Sequence, residues 1–159
     1  MKLFCVRHGH AEQLPNLAGE RPLTQEGIEE VGKVAVYLKH RGVYVVHLMH
    51  SGKLRAQQSA EILVSSLAES QAIEVCPLLG SDHPIAPLID LIQEWYDDTM
   101  LVGHMPFISQ LVSSLILGRE GYDILCFPPG TVACLERIEN SRWILNWVIR
   151  PDLVPDQEN

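Results

Sequence analysis

The chain reads as an α/β protein: a three-layer αβα sandwich on a mostly parallel sheet, with an antiparallel strand at its C-terminal end. Two patterns predict this. Apolar runs of strand length alternate with amphipathic helical segments along most of the 159 residues, which is the signature of consecutive βαβ units. Two β-rich segments then follow one another at 131–137 and 143–149 and read as a closing hairpin around Glu139, Asn140 and Ser141. No internal repeat, low-complexity stretch or interdomain linker interrupts the pattern. One domain over residues 1–150 is expected, with a loose, polar tail over 151–159.

The elements follow in order. Leu3-Phe4-Cys5-Val6 is wholly apolar, as a strand buried on both faces would be. Thr24 is a good N-cap for a helix over 25–40, with Ile28, Val31, Ala35 and Leu38 on one face and Gly42 past its end. A second strand is expected over 45–49. The helix after it, over about 53–67, carries Ala56, Ala60, Leu63 and Leu67 at helical spacing. Ile73 to Cys76 reads as a short third strand. Residues 77–87, rich in Gly, Ser, Asp and Pro, read as loop. A helix over 88–95, a strand over 99–103 and a helix over 106–117 with Pro at its start complete the alternation. Residues 122–130 show no regular pattern.

Composition narrows the partners. At 47% hydrophobic and 20% charged residues this is an ordinary globular chain with a full core. A formal net charge of −8 repels nucleic acid and anionic membranes. An anionic substrate would have to be held in a local positive pocket. Cys5, Cys76, Cys126 and Cys134 include no Cys-x-x-Cys pair, so neither a zinc ribbon nor a thioredoxin-like site is suggested. Cys5, Cys76 and Cys134 lie in apolar, strand-like runs, so reduced, buried thiols in a cytoplasmic protein are expected. Arg7 breaks the first apolar run too early for a signal peptide, and no apolar stretch approaches a membrane span.

Three strand ends carry candidate chemistry. The first offers Arg7, His8 and Gly9. The second runs His50-Ser51-Gly52-Lys53-Leu54-Arg55 and places Arg55 in the first turn of the next helix. The fourth offers Gly103-His104-Met105-Pro106. In a parallel sheet these ends share one edge, where active sites form. Two arginines and two histidines would then surround one small tetrahedral anion. Arginine's rigid fork of N–H groups matches phosphate oxygens, and the helix starts near Lys53 and Pro106 add backbone donors. One histidine can attack phosphorus while the other stabilises developing charge.

These blocks resemble the histidine phosphatase superfamily, which includes the cofactor-dependent phosphoglycerate mutases. Val6 to Glu12 is similar to its signature, and Arg21-Pro22-Leu23-Thr24 with Gly27 to its next block. His50-Ser51 through Arg55-Ala56-Gln57-Gln58-Ser59-Ala60 is similar to the third, and Gly103 to Pro106 to the block with the second histidine. Short length and the Arg-Pro-Leu-Thr form resemble the SixA-type phosphohistidine phosphatases in particular, as does Trp147 shortly before Pro151. The resemblance implies that His8 is the phosphorylated nucleophile, that Arg7 and Arg55 bind phosphoryl oxygens, and that His104 completes the catalytic set. Arg21 is implied as a further substrate contact. It implies no cofactor and no metal, and a phosphohistidine-bearing phosphotransfer protein as the substrate partner.

The sequence departs from the family at several points. Gly52 stands where Pro usually follows the serine, Ser59 replaces Thr, and His10 occupies a position often acidic in relatives. A metal held by His8 and His10 is disfavoured because the other blocks supply phosphate binders rather than carboxylate ligands. The glutamate that protonates the leaving oxygen in mutases and many phosphomonoesterases has no counterpart in 77–83, where only Asp82 and His83 could donate. An alkoxide needs that proton; an imidazole whose ring already carries one does not. The missing acid therefore favours an N–P substrate. A small-molecule phosphomonoesterase of the same fold is the alternative, and a non-catalytic phosphate-binding regulator is a third reading. His40, His47 and His83 are expected to be structural or exposed. Trp95, Trp143 and Trp147 are expected to pack in the core or hairpin.

Overall fold

The computed structural model describes residues 1–68, 72–80 and 82–155. These form one sheet of β1 (Lys2–Arg7), β2 (His47–His50), β3 (Glu74–Val75), β4 (Thr99–Gly103), β5 (Val132–Arg137) and β6 (Trp143–Ile149). The helices are α1 (Gln25–His40), α2 (Leu54–Leu67), α3 (Ala86–Gln93) and α4 (Phe107–Leu117). The strand order is β3-β2-β4-β1-β5-β6. β1, β2, β3 and β4 run parallel, and β5 lies antiparallel to both β1 and β6. The expected sandwich is present, with its antiparallel departure in the C-terminal hairpin.

Two cores explain why the strands are apolar on both faces. Phe4, Val6, Leu48, Met100 and Val102 pack against Val31, Val34 and Leu38 of α1 and Leu63 and Leu67 of α2. Leu3, Cys5, Leu101 and Leu135 pack against Leu88 and Ile92 of α3 and Phe107, Ile108 and Leu111 of α4. Alternate residues of β1 thus serve opposite layers.

Thr24 caps α1 as expected, its hydroxyl accepting the Gly27 N–H at 3.0 Å. The buried stripe of α1 is nevertheless Gly27, Val31, Val34, Ala35 and Leu38, and Ile28 is 40% exposed. The first turn is rotated because Gly27 abuts the chain after β1: a Cβ there would lie 2.1 Å from the His10 carbonyl oxygen. β2 starts at His47 rather than residue 45. Val45 is buried, but its N–H donates to Leu67 at the end of α2 and joins no ladder. α3 begins at Ala86, earlier than expected, since Pro87 sits in its first turn, where no N–H is required.

The tail departs most from expectation. Residues 151–154, read as the start of a loose segment, are packed. Pro151–Leu153 form a 3-10 turn, Pro151 is buried, and Val154 joins the core beneath α1 and α2. Two apolar anchors inside a polar stretch suffice to dock it. Gly130, at φ 76°, makes room: a Cβ there would lie 2.8 Å from Pro151 Cγ. Residues 156–159 lie outside the described residues. Among the described residues no helix is long and apolar enough to cross a membrane.

Candidate active site

β1 and β4 are neighbours, β2 lies beside β4, and all three point the same way, so their C-terminal ends open on one crevice. Arg7 closes β1. Its N–H donates to Thr131 at 3.1 Å and its Nη1 to the Phe127 carbonyl at 2.7 Å, while its Nε is buried with no hydrogen-bond partner among the described residues. The His8 N–H donates to the Gly103 carbonyl at 3.0 Å and holds the backbone against β4. Gly9 serves close approach. A Cβ there would lie 2.7 Å from Val31 Cγ2 and 2.9 Å from the Gly27 carbonyl oxygen.

The state of the His8 ring follows from its partners. Nδ1 lies 2.7 Å from the Gly9 carbonyl oxygen. A carbonyl only accepts, so Nδ1 carries the proton and Nε2 keeps its lone pair. The Arg55 Nε–H, from the first turn of α2, donates towards that nitrogen at 3.3 Å. Burial is the main cause that pushes the His8 pKa down to about 4, and the charges of Arg55, Arg7 and Arg21 push it the same way. The Gly9 carbonyl opposes them.

His104 is 3% exposed and lies beside His8, with ring centroids 5.0 Å apart. Its Nε2 shares a hydrogen bond with the Ser51 hydroxyl, and its Nδ1 is buried without a partner among the described residues. Burial, then His8, Arg55, Lys53 and Arg7, bring its pKa down to about 3. Both rings are therefore neutral near pH 7. Arg21 stands at the rim, its Nε–H donating to the Glu12 carbonyl at 2.6 Å, and its charge is felt at both His8 and Arg55.

Arg7, His8, Arg55 and His104 thus meet in one place, with Arg21 at its edge. The charges that act on His8 are all positive, in a chain of net charge −8. Arginine donors, concentrated positive charge and an imidazole lone pair met by the long Arg55 contact suit one kind of ligand: a small tetrahedral oxyanion whose central atom can be attacked. A family model, the histidine phosphatase superfamily (branch 1), matches residues 3–79, the stretch that carries Arg7, His8, Arg21 and Arg55.

The chain is similar to the histidine phosphatase superfamily.

The chain is 28% identical over 155 residues to the phosphohistidine phosphatase SixA of Escherichia coli (strain K12), covering 95% of this chain and 94% of the relative. It superposes on the structure of the protein histidine phosphatase SixA complexed with tungstate with a TM-score of 0.82 and 28% identity, over 96% of this chain and 98% of the other. The alpha-ribazole phosphatase of Shigella flexneri shares the fold at a TM-score of 0.70 and 17% identity, over the full length of both chains. These likenesses extend past residue 79 to the strand end that carries His104.

Three neighbours of the site escape a reading centred on Arg55, although all lie in the same block. Ser59 is fully buried; its hydroxyl accepts the Gly9 N–H at 3.0 Å and donates to the Arg55 carbonyl at 2.8 Å, tying β1 to α2. Gln58 accepts the Leu23 N–H at 2.8 Å and fastens the Arg21 segment to the same helix. Ser51 engages His104. The departure at Gly52 has a backbone reason: its φ of 88° is closed to proline. His10 is exposed, and its charge acts on Glu30 of α1. Asp82 and His83 are exposed.

Proposed function

We propose that the chain is a protein phosphohistidine phosphatase. The observation that carries this reading is the His8 ring, held neutral by burial and three arginines, with its proton on Nδ1 and its lone pair on Nε2. In the proposed reaction Nε2 attacks the phosphorus of a phosphohistidine. The substrate N–P bond breaks, its electron pair stays on the leaving ring, and a proton on that ring's other nitrogen lets it depart as neutral imidazole. Water then attacks the phosphorus on His8 and releases inorganic phosphate. Arg7 and Arg55 bind the phosphoryl oxygens throughout, His104 supports the developing charge, and Arg21 contacts the substrate at the rim. No metal or cofactor takes part in this scheme. The exposed positions of Asp82 and His83 support a reaction that needs no acid for the leaving group.

The loop leading to Arg21 supports a substrate of protein size. Leu14 is 79% and Leu17 110% exposed, on a segment fixed by the Asn16 side chain, which accepts the Ala18 and Glu20 N–H groups at 2.9 and 3.0 Å. Apolar side chains held out on an ordered loop beside a charged pocket suit contact with a protein surface. A phosphotransfer protein is the fitting partner, in signalling within the cytoplasm, where the buried thiols of Cys5, Cys76 and Cys134 would stay reduced.

The competing reading, a small-molecule phosphomonoesterase, draws on the segment before Asp82. Leu79 packs close to Gly103, so the chain leaves the wall of the site just before that carboxylate. Parallel steady-state assays separate the two. A phosphohistidine protein is expected to react with a kcat/KM at least ~10²-fold above that of a sugar phosphate, the usual worth of acid catalysis. The reverse order, with a large loss in Asp82→Asn, would establish the esterase.

A further inference from the structure

A large cavity, about 610 Å³, lies away from the active site, at the opposite edge of the parallel strands. It opens where β1 begins and α1 ends, and its walls include Phe4, Leu38 and Trp147. How Trp147 comes to be there is itself informative. Trp143 and Trp147 are four residues apart on β6 and would share a face in a regular strand. Trp143 packs in the core beneath α3 and α4. The β5–β6 register slips between Cys134 and Leu135, which pair with Trp147 and Leu145 and leave Asn146 over. This bulge exchanges the faces. Trp147 therefore turns to the α1 side, with its ring centroid 6.0 Å from that of Phe4.

The mouth differs in charge from the protein as a whole. Lys2 and Arg41 both line it. The carboxylate there, Asp98, accepts the backbone N–H of Lys2 at 2.6 Å. The Arg41 guanidinium lies over the Tyr37 ring, 5.1 Å from its centroid. The cavity is thus lined by two cations and one carboxylate, a local positive excess in a chain of net charge −8. Its volume falls in the roughly 300–1,000 Å³ range of small-molecule sites.

We propose that this cavity is a binding site for a small organic anion with a flat aromatic body, the body lying against Trp147 and the end of α1 and the anionic head at Lys2 and Arg41. The site is separate from the phosphatase chemistry and does not depend on that assignment.

The test uses 8-anilinonaphthalene-1-sulfonate as the anionic probe and neutral N-phenyl-1-naphthylamine as its control, on the full chain under native conditions. Fluorescence titration and calorimetry are expected to give one saturable sulfonate site per chain. Arg41→Glu should weaken sulfonate binding about tenfold, as reversal of a partly screened charge does, and leave the neutral probe nearly unchanged. Val43→Trp, which fills the cavity from its wall, should abolish binding of both probes. Cooperative thermal unfolding followed by circular dichroism reports whether each variant is folded. Absence of saturable binding to the active parent, or binding indifferent to Val43→Trp, would overturn the proposal. Equal response of both probes to Arg41→Glu would overturn the anionic class. A parent that sediments as a dimer, with Val43→Trp monomeric, would assign the cavity to a second copy of the chain instead.

Discussion

Arg137 and the pair Arg7–Arg55 show two ways in which one fold uses the same side chain. Arg137 ends β5, and its guanidinium donates to the carbonyls of Ile92, at 3.3 Å, of Gln93, at 2.9 Å, and of Trp95, all around the C-terminus of α3. It also lies within 6 Å of the Tyr96 and Trp143 ring centroids, at 5.7 and 5.8 Å. Its donors answer carbonyls gathered at a helix end, where the helix dipole favours a cation. Arg7 instead keeps a buried Nε without a partner among the described residues, and the Arg55 Nε–H faces an imidazole lone pair. An arginine whose fork is satisfied by the protein holds structure together. One whose fork is left open by a rigid surround is set to receive an anion.

That contrast can be broken by paired substitutions. Arg55→Ala and Arg7→Ala are expected to lower kcat/KM towards a phosphohistidine protein by about 10²-fold or more, the scale of losing one preorganised donor. Lys at either position should restore little, because the planar fork is lost. Steady-state kinetics on purified variants checks both. Arg137→Ala should do the opposite. Loss of three charge-assisted bonds at a helix end is expected to lower unfolding free energy by about 2–3 kcal/mol in urea titrations, with kcat/KM changed by less than about twofold. Near-normal catalysis by Arg55→Ala, or a catalytic collapse in a folded Arg137→Ala protein, would erase the distinction.

Smaller effects sharpen it. Leu14→Ser with Leu17→Ser should raise KM for the phosphohistidine protein about tenfold, as removal of two modest apolar contacts does. Hydrolysis of free phosphohistidine should be unaffected, and an equal loss on both substrates would show that the loop merely supports Arg21. The smallest effect concerns acid stability. Both active-site rings bind protons more weakly folded, near 4 for His8 and 3 for His104, than unfolded, at 6.5. Between these values the unfolded chain holds more protons, so this stability is complete above 6.5 and is lost as pH falls through 4 for His8 and 3 for His104. His8→Asn should flatten that part of the pH profile of urea unfolding.

Much of this was legible in the residues. Thr24 fixed the start of α1, and the apolar runs at β1 and β4 marked strands buried on both faces. A parallel sheet then had to bring Arg7, His8, Arg55 and His104 to one edge. What stayed hidden depends on contacts between distant segments. The rotation of α1 that exposes Ile28 is set by the close approach of Gly27 to His10. The docking of Pro151 and Val154 depends on space left at Gly130. The bulge that turns Trp147 is a register property of two strands, which neither strand declares alone. At the site, the four residue types signalled an anion pocket. The tautomer of His8 came from the Gly9 carbonyl, which no side-chain pattern announces.

That tautomer makes the central claim open to one direct measurement. Mixing the protein with a phosphohistidine-bearing protein, quenching in alkali within milliseconds and mapping the product by mass spectrometry and phosphorus NMR reads out both the residue and the nitrogen that carry the phosphoryl group. The expected result is an acid-labile, alkali-stable phosphoramidate on Nε2 of His8, absent in His8→Ala, forming and decaying at rates that account for turnover. Phosphate on Nδ1, on another residue, or undiminished turnover by His8→Ala would contradict it.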